Sequence, residues 1–275
     1  MAVIVRTNVS SLDAQRQLAR TQMESGKTFQ RLGSGYRINS AADDAAGLGI
    51  SEAMNAQIRS FAVALRNAND AVSMVQTADG AAGQIHDIIG RLRELAVQSS
   101  NGALQATDRA NLDTEFQTLS AEIDRISNVT LFNGVSLLSG AQAAVKFQVG
   151  INTTASDQVS VLFGGVSAAT LGLNASKVDS VANAQTAINS VDAAIQTLST
   201  MRENWGAAMN RLDGAVSNIQ SMSTNLSAAH SRIKDADIAQ ETADMSRNSV
   251  LSQAGAAILT QANQAPQLAL SLLKG

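Results

Sequence analysis

The chain has 275 residues, 45% of them hydrophobic but only 3% aromatic, with a single proline and no cysteine. A net charge of −3 without a dense Lys/Arg stripe gives nucleic acid no electrostatic footprint, and the lack of cysteine excludes disulfides, thiolate nucleophiles and Cys-ligated metals. Alanine-rich, proline-poor composition suits long helices better than a packed α/β enzyme, and no run of 18 apolar residues is present to insert in a membrane.

From Val3 to Leu32 apolar residues recur at helical spacing, and Gly33-Ser-Gly35 then stops the helix. These glycines follow a helix rather than a strand, contrary to the dinucleotide-binding fingerprint. Ser40-Ala-Ala-Asp43 reads as a capping box for a second, Ala-rich helix, with Asp44 adding favourable charge to its first turn. Adjacent helical positions point apart, so Asp43 and Asp44 read as capping residues and not as a catalytic carboxylate pair. This helix should run to about Ser99, where Asn101-Gly102 breaks it. A third begins near Thr107-Asp108, with Leu112, Phe116, Leu119, Ile123 and Ile126 on one face.

The period then changes from 3.6 to 2. Phe132-Asn133-Gly134 carries a strong turn dipeptide, and Val145–Val149 and Val159–Phe163 alternate as the strands of a β-hairpin. From Val181 to Ile233 the helical period returns, with positions alternating by three and four that are apolar except at Arg202, Ser223 and His230. Such a helix is about 80 Å long and needs partners of matching length. Arg202, at a core-type position, either pairs with a carboxylate or extends to the edge. Asp237 can cap a last helix reaching Leu272.

The fold class predicted is mainly α: a long antiparallel helical rod or coiled coil, with the terminal helices forming a second coiled coil, plus a small β-hairpin region. The domains predicted are residues 1–42 with 236–275, and 43–235 containing the β region 133–176. Rod-core candidates are Leu65, Val72, Ile89, Leu112, Phe116, Leu198, Trp205 and Leu212. Tight packing of the terminal helices is assigned to Ile4, Val9, Leu12, Met23 and Leu32 against Ile238, Met245, Leu251, Ile258 and Leu259. Two sticky termini imply assembly, because a helix without a tertiary partner is marginal in water until neighbours bury its apolar face. His86 and His230 are too few for an ordinary His-based metal site and lie outside any HExxH pattern, so no catalytic, cofactor or metal residues are assigned.

Several longer stretches carry a resemblance: Asn8-Val-Ser-Ser-Leu12-Asp-Ala-Gln15, Leu32-Gly-Ser-Gly-Tyr36-Arg-Ile-Asn39-Ser-Ala-Ala-Asp43-Asp44, Arg66-Asn-Ala-Asn69-Asp70, Arg93-Glu94-Leu95-Ala96-Val97-Gln98, and Ser231-Arg232-Ile233-Lys-Asp235-Ala236-Asp237. In these residues and their order the chain resembles bacterial flagellin over nearly its whole length. The resemblance implies a non-enzymatic, extracellular filament subunit for swimming, its terminal helices forming an inner tube and its middle helices an outer tube. Gly164 to Ser176 returns directly to the long helix, which departs from flagellins that insert further outer domains. The resemblance also implies export through the flagellar secretion channel without a cleaved signal peptide. The partners it implies are other flagellin copies, an export chaperone on the C-terminal helix, a filament cap and hook-associated proteins. In flagellins recognised by a Toll-like innate immune receptor of a host, an Arg and a Leu of the second helix and a Glu of the third form the contact centre. The matching positions are Arg91, Leu95 and Glu115, and the same face is expected to make axial contacts between subunits. The nearer alternative is a hook-filament junction protein, similar at both ends; the farther one is an enzyme on the same scaffold, which has no plausible nucleophile, base or metal cluster to support it.

Overall fold

The computed structural model describes residues 7–140 and 144–274, with side chains described to residue 264. Five helices dominate: α1 (Val9–Ser34), α2 (Ala45–Ser99), α3 (Ala106–Val129), α4 (Val181–Lys234) and α5 (Ile238–Lys274). Four short strands, β1 (Leu131–Phe132), β2 (Val135–Ser136), β3 (Val145–Gln148) and β4 (Gln158–Val161), lie between α3 and α4. The chain forms two compact units, residues 1–56 with 225–275, and residues 57–224.

The helix ends follow from local chemistry. Asn8 caps α1 by accepting a bond from the Ser11 amide, and Gly35 ends it in the left-handed conformation (φ 75°) while its N–H donates to the Arg31 carbonyl. Ser40 and Asp43 do not cap α2 as expected. They close a turn one step earlier, in which the Asp43 carboxylate accepts from the Asn39 and Ser40 amides and the Ser40 hydroxyl. The α2 cap is Asp44, whose Oδ1 accepts from the Gly47 amide at 2.8 Å. Two candidate carboxylates in a row let one serve the turn and the other the helix. Asp237 caps α5 through the Ala239 and Gln240 amides.

In the unit of residues 57–224, the buried line of α2 runs through Ala64, Ala68, Ala71, Val75, Ala78, Ala82, Ile85, Ile89 and Leu92. Alternate steps of four and three keep these side chains on one seam, and the run of alanines permits close helix approach. Leu65 and Val72 flank that seam half-buried, so the larger apolar side chains beside the alanines are packing shoulders and not its centre, and Leu112 on α3 is likewise half-buried. Ile89, Phe116, Leu198, Trp205 and Leu212 are buried. Trp205 donates its indole N–H to the Leu162 carbonyl at 2.8 Å, and its ring lies 6.3 Å from that of Phe163.

The β region holds two hairpins where the sequence suggested one. β1 pairs antiparallel with β2 across Asn133-Gly134, both at positive φ (49° and 79°), which matches the backbone of a tight primed turn. β3 pairs antiparallel with β4, setting Phe147 opposite Val159 and Val145 opposite Val161. The segment returning to α4 is tied along α3: Asp124 accepts from the Ala168 amide, Asp113 accepts from the Val178 amide, and Gln117 donates to the Ser176 carbonyl. These bonds satisfy backbone groups that a segment without regular structure would leave open.

Candidate self-assembly surface

Helices α1 and α5 pair antiparallel in one subunit: Asn8 at the start of α1 donates to the Ala262 carbonyl, while Arg31 near its end meets Glu241 at the start of α5. The covered positions of α1 are Ser11, Ala14, Leu18, Thr21, Ser25, Thr28 and Leu32; those of α5 are Glu241, Met245, Asn248, Ser252, Gly255, Leu259 and Ala262. Each set alternates three and four, the spacing of a two-helix seam, but most members are small or polar. Gly255 brings the backbone close to Leu18, whose Cδ1 lies 3.4 Å from where a Cβ on residue 255 would stand.

Several polar groups on this seam find partners within their own helix or across the pair. Thr28 and Thr21 donate to carbonyls one turn back, and the Ser11 hydroxyl donates to Asn263. Arg31 and Glu241 form an ion pair at 3.1 Å with side-chain exposures of 33% and 10%. Such a pair favours one alignment of two helices more than it adds net stability.

The apolar residues expected to hold the two helices together mostly point elsewhere. Val9, Leu12, Met23, Ile238, Leu251 and Ile258 are exposed, along with Phe29 and Val250, whereas Leu32, Met245 and Leu259 are half-buried. Ile4 lies outside the described residues. Helical spacing alone cannot tell an apolar face turned toward a partner helix from one turned outward, and here Ser, Thr, Ala and Gly take most of the seam.

A short junction fastens the ends of α1 and α4. Ala236 N–H donates to the Gly35 carbonyl, Arg37 N–H donates to the Lys234 carbonyl at 2.7 Å, and the Arg37 guanidinium donates to the Ile233 carbonyl. Lys234 lies over the Tyr36 ring, 5.3 Å from its centroid, and pairs with Glu52 at 2.8 Å. Nothing in the sequence spacing pointed to this arrangement, although the motifs around residues 32–39 and 231–237 are its two halves.

On α2 and α3, Arg91 and Glu115 form an exposed ion pair at 2.9 Å, and Arg91 also meets Glu94. These two acceptors hold the Arg91 pKa above its ordinary value, hydrogen bonding to Glu94 contributing most. Leu95, grouped with this pair on the strength of the resemblance, has no accessible surface. It packs in the helix seam beneath the exposed Arg91 and Glu115. Arg202, the charged member of the α4 stripe, pairs with Asp79 at 2.7 Å. Among the described residues no group of three His, Cys, Asp or Glu side chains is placed to hold a metal ion. No described helix is long and apolar enough to cross a membrane.

Two family models match this helical frame: the bacterial flagellin N-terminal helical region over residues 5–143 and the C-terminal helical region over residues 188–273. The chain belongs to the bacterial flagellin family. It is 42% identical to a flagellin of Halalkalibacterium halodurans over 272 residues, covering 99% of this chain and all of that one. It is 39% identical to the flagellar filament 33 kDa core protein of Treponema phagedenis, again covering 99% of this chain and all of the other. A flagellin of Bacillus subtilis is 38% identical over 98% of this chain and 99% of its own. The crystal structure of Bacillus cereus flagellin is similar with a TM-score of 0.51 and 34% identity, covering 60% of this chain and 94% of that one. A putative flagellar hook-associated protein from Vibrio parahaemolyticus shares the fold at a TM-score of 0.58 and 13% identity, over 70% of this chain and all of that one. Flagellins are structural proteins, and the five-helix architecture with its small hairpins agrees with that membership.

Proposed function

We propose that this flagellin self-assembles into the extracellular flagellar filament that drives swimming, and that it catalyses no reaction. The observation carrying this reading is the outward placement of Val9, Leu12, Met23, Phe29, Ile238, Val250, Leu251 and Ile258 around a polar seam. A helix pair that leaves its largest apolar side chains in water gains its stability from further copies. Assembly then buries these faces in an inner tube. Before assembly an export chaperone covers the face of α5, and cap and hook-associated proteins bound the polymer at its ends; export runs through the flagellar channel.

Full-length identity to proteins named flagellin and filament core protein supports the filament subunit over the hook-filament junction protein, for which the likeness is one of fold alone. Removal of residues 1–32 is the direct test. Electron microscopy of the truncated chain is expected to show no filaments while far-ultraviolet circular dichroism retains the helical signal of the rod. Filaments at ordinary yield would overturn the reading.

A second reading rests on the exposed Arg91–Glu115 pair: the monomer is also a ligand for a Toll-like innate immune receptor. Arg91→Ala or Glu115→Ala is expected to lower receptor signalling by the monomer, and unchanged signalling by both refutes it.

A further inference from the structure

With no cysteine in the chain, its eight methionines are its only sulfur atoms. Among the described residues just two of them are exposed, Met23 at 65% and Met222 at 49%. Met23 lies mid-way along α1, on the side away from α5, in the same outward apolar set as Leu12 and Phe29. Its thioether is therefore open to small oxidants in the free subunit and lies on the face that the proposed polymer must bury.

We propose that Met23 is an oxidative modification site, and that its conversion to the sulfoxide in the unassembled subunit blocks incorporation into the filament. This rests on the filament reading above. The oxidant is a two-electron oxygen donor of the peroxide class. The sulfur lone pair attacks one peroxide oxygen, the S–O bond forms as the O–O bond breaks, and the departing hydroxide takes the proton from the oxygen now on sulfur and leaves as water. Sulfur is oxidised by two electrons and the peroxide is reduced by the same two. The product replaces a flexible apolar side chain with a polar one carrying a strong acceptor. Burying that acceptor against an apolar neighbour without a donor weakens each subunit contact, by about tenfold in the concentration needed for assembly. Oxidation of an assembled filament has less effect, because the same sulfur is then covered.

The test uses the full-length chain and hydrogen peroxide. Free subunits and preformed filaments are treated in parallel, the Met23 sulfoxide is followed by peptide mass spectrometry, and assembly is read by sedimentation. Oxidised wild-type subunits are expected to need about tenfold more protein to assemble, filaments to take up oxygen at Met23 more slowly, and Met23→Leu subunits to show the same assembly threshold before and after treatment, whatever that threshold is. Repair by methionine sulfoxide reductase should restore assembly in step with loss of the Met23 sulfoxide, which decides the matter even if the Leu variant assembles poorly. Normal assembly of subunits carrying Met23 sulfoxide, or equal losses in the Leu variant, overturns the proposal and leaves the filament reading standing. Failure of the untreated chain to assemble overturns both.

Discussion

Glu241 carries more of the terminal helix pair than its exposed acidic neighbours do. It is buried at the start of α5, its side chain accepts from Arg31, and the rest of that seam offers mostly small contacts. Glu241→Ala leaves Arg31 half-covered without its acceptor and is expected to weaken the α1–α5 pair by about 2 kcal/mol. Faster amide exchange along α1, with exchange in residues 57–224 unchanged, is the measurement. Asp43 gives a pH-dependent case. Its carboxyl is held below the ordinary value of 3.8, first by the Ser40 backbone N–H and then by the Ser40 hydroxyl and the Asn39 amide. A lowered folded pKa means that the turn is fully stabilised above 3.8 and loosens as pH falls through the lower folded value. The Ser40 amide resonance should report this, and Asp43→Asn should remove the dependence. At this scale the sequence was legible where a side chain acts on its own turn, as at Asp237. Pairs such as Arg202 with Asp79, Arg31 with Glu241 and Lys234 with Glu52 join residues more than a hundred positions apart, and no local pattern encodes them.

Helices meet along seams whose centre is often smaller than their edges. In α2 the buried line contains five alanines between Ala64 and Ala82, while Leu65 and Val72 sit beside it. Picking the bulkiest residue of a periodic set finds α4 and α3 correctly at Trp205 and Phe116 and misplaces the centre of α2. The same rule fails more completely on α1 and α5, where most seam positions are small or polar and most of the bulky apolar residues face outward. Periodicity fixes where a helix is; size alone does not fix which way it turns. Trp205 shows what a filled seam is worth. Trp205→Phe removes the bond to the Leu162 carbonyl and is expected to cost about 1–2 kcal/mol, against about 3–5 kcal/mol for Trp205→Ala, which also opens a cavity. Denaturant unfolding followed by circular dichroism ranks the two, and equal losses would mean that the hydrogen bond dominates the packing.

For the whole molecule, the outward apolar residues separate folding from assembly. Phe29→Asp and Val250→Asp alter side chains exposed to 61% and 64%, so the folded subunit should change by less than about 0.5 kcal/mol. Filament formation should nonetheless be lost, as seen by light scattering; an unaltered assembly threshold in both variants would place the subunit contacts elsewhere. Family membership was legible in the motifs because they are long and ordered along the chain. Their three-dimensional role was not, since the junction of residues 35–37 with 233–236 exists only when both ends of the chain meet. That junction has a kinetic consequence. Its bonds close a loop of nearly two hundred residues, whereas the backbone bonds within α2 and α3 join residues four apart. Closing so large a loop is entropically slow unless the helices between its ends have already shortened the distance. The junction is therefore expected to form after those helices and to open before them, which amide exchange at Arg37 and Ala236 would report.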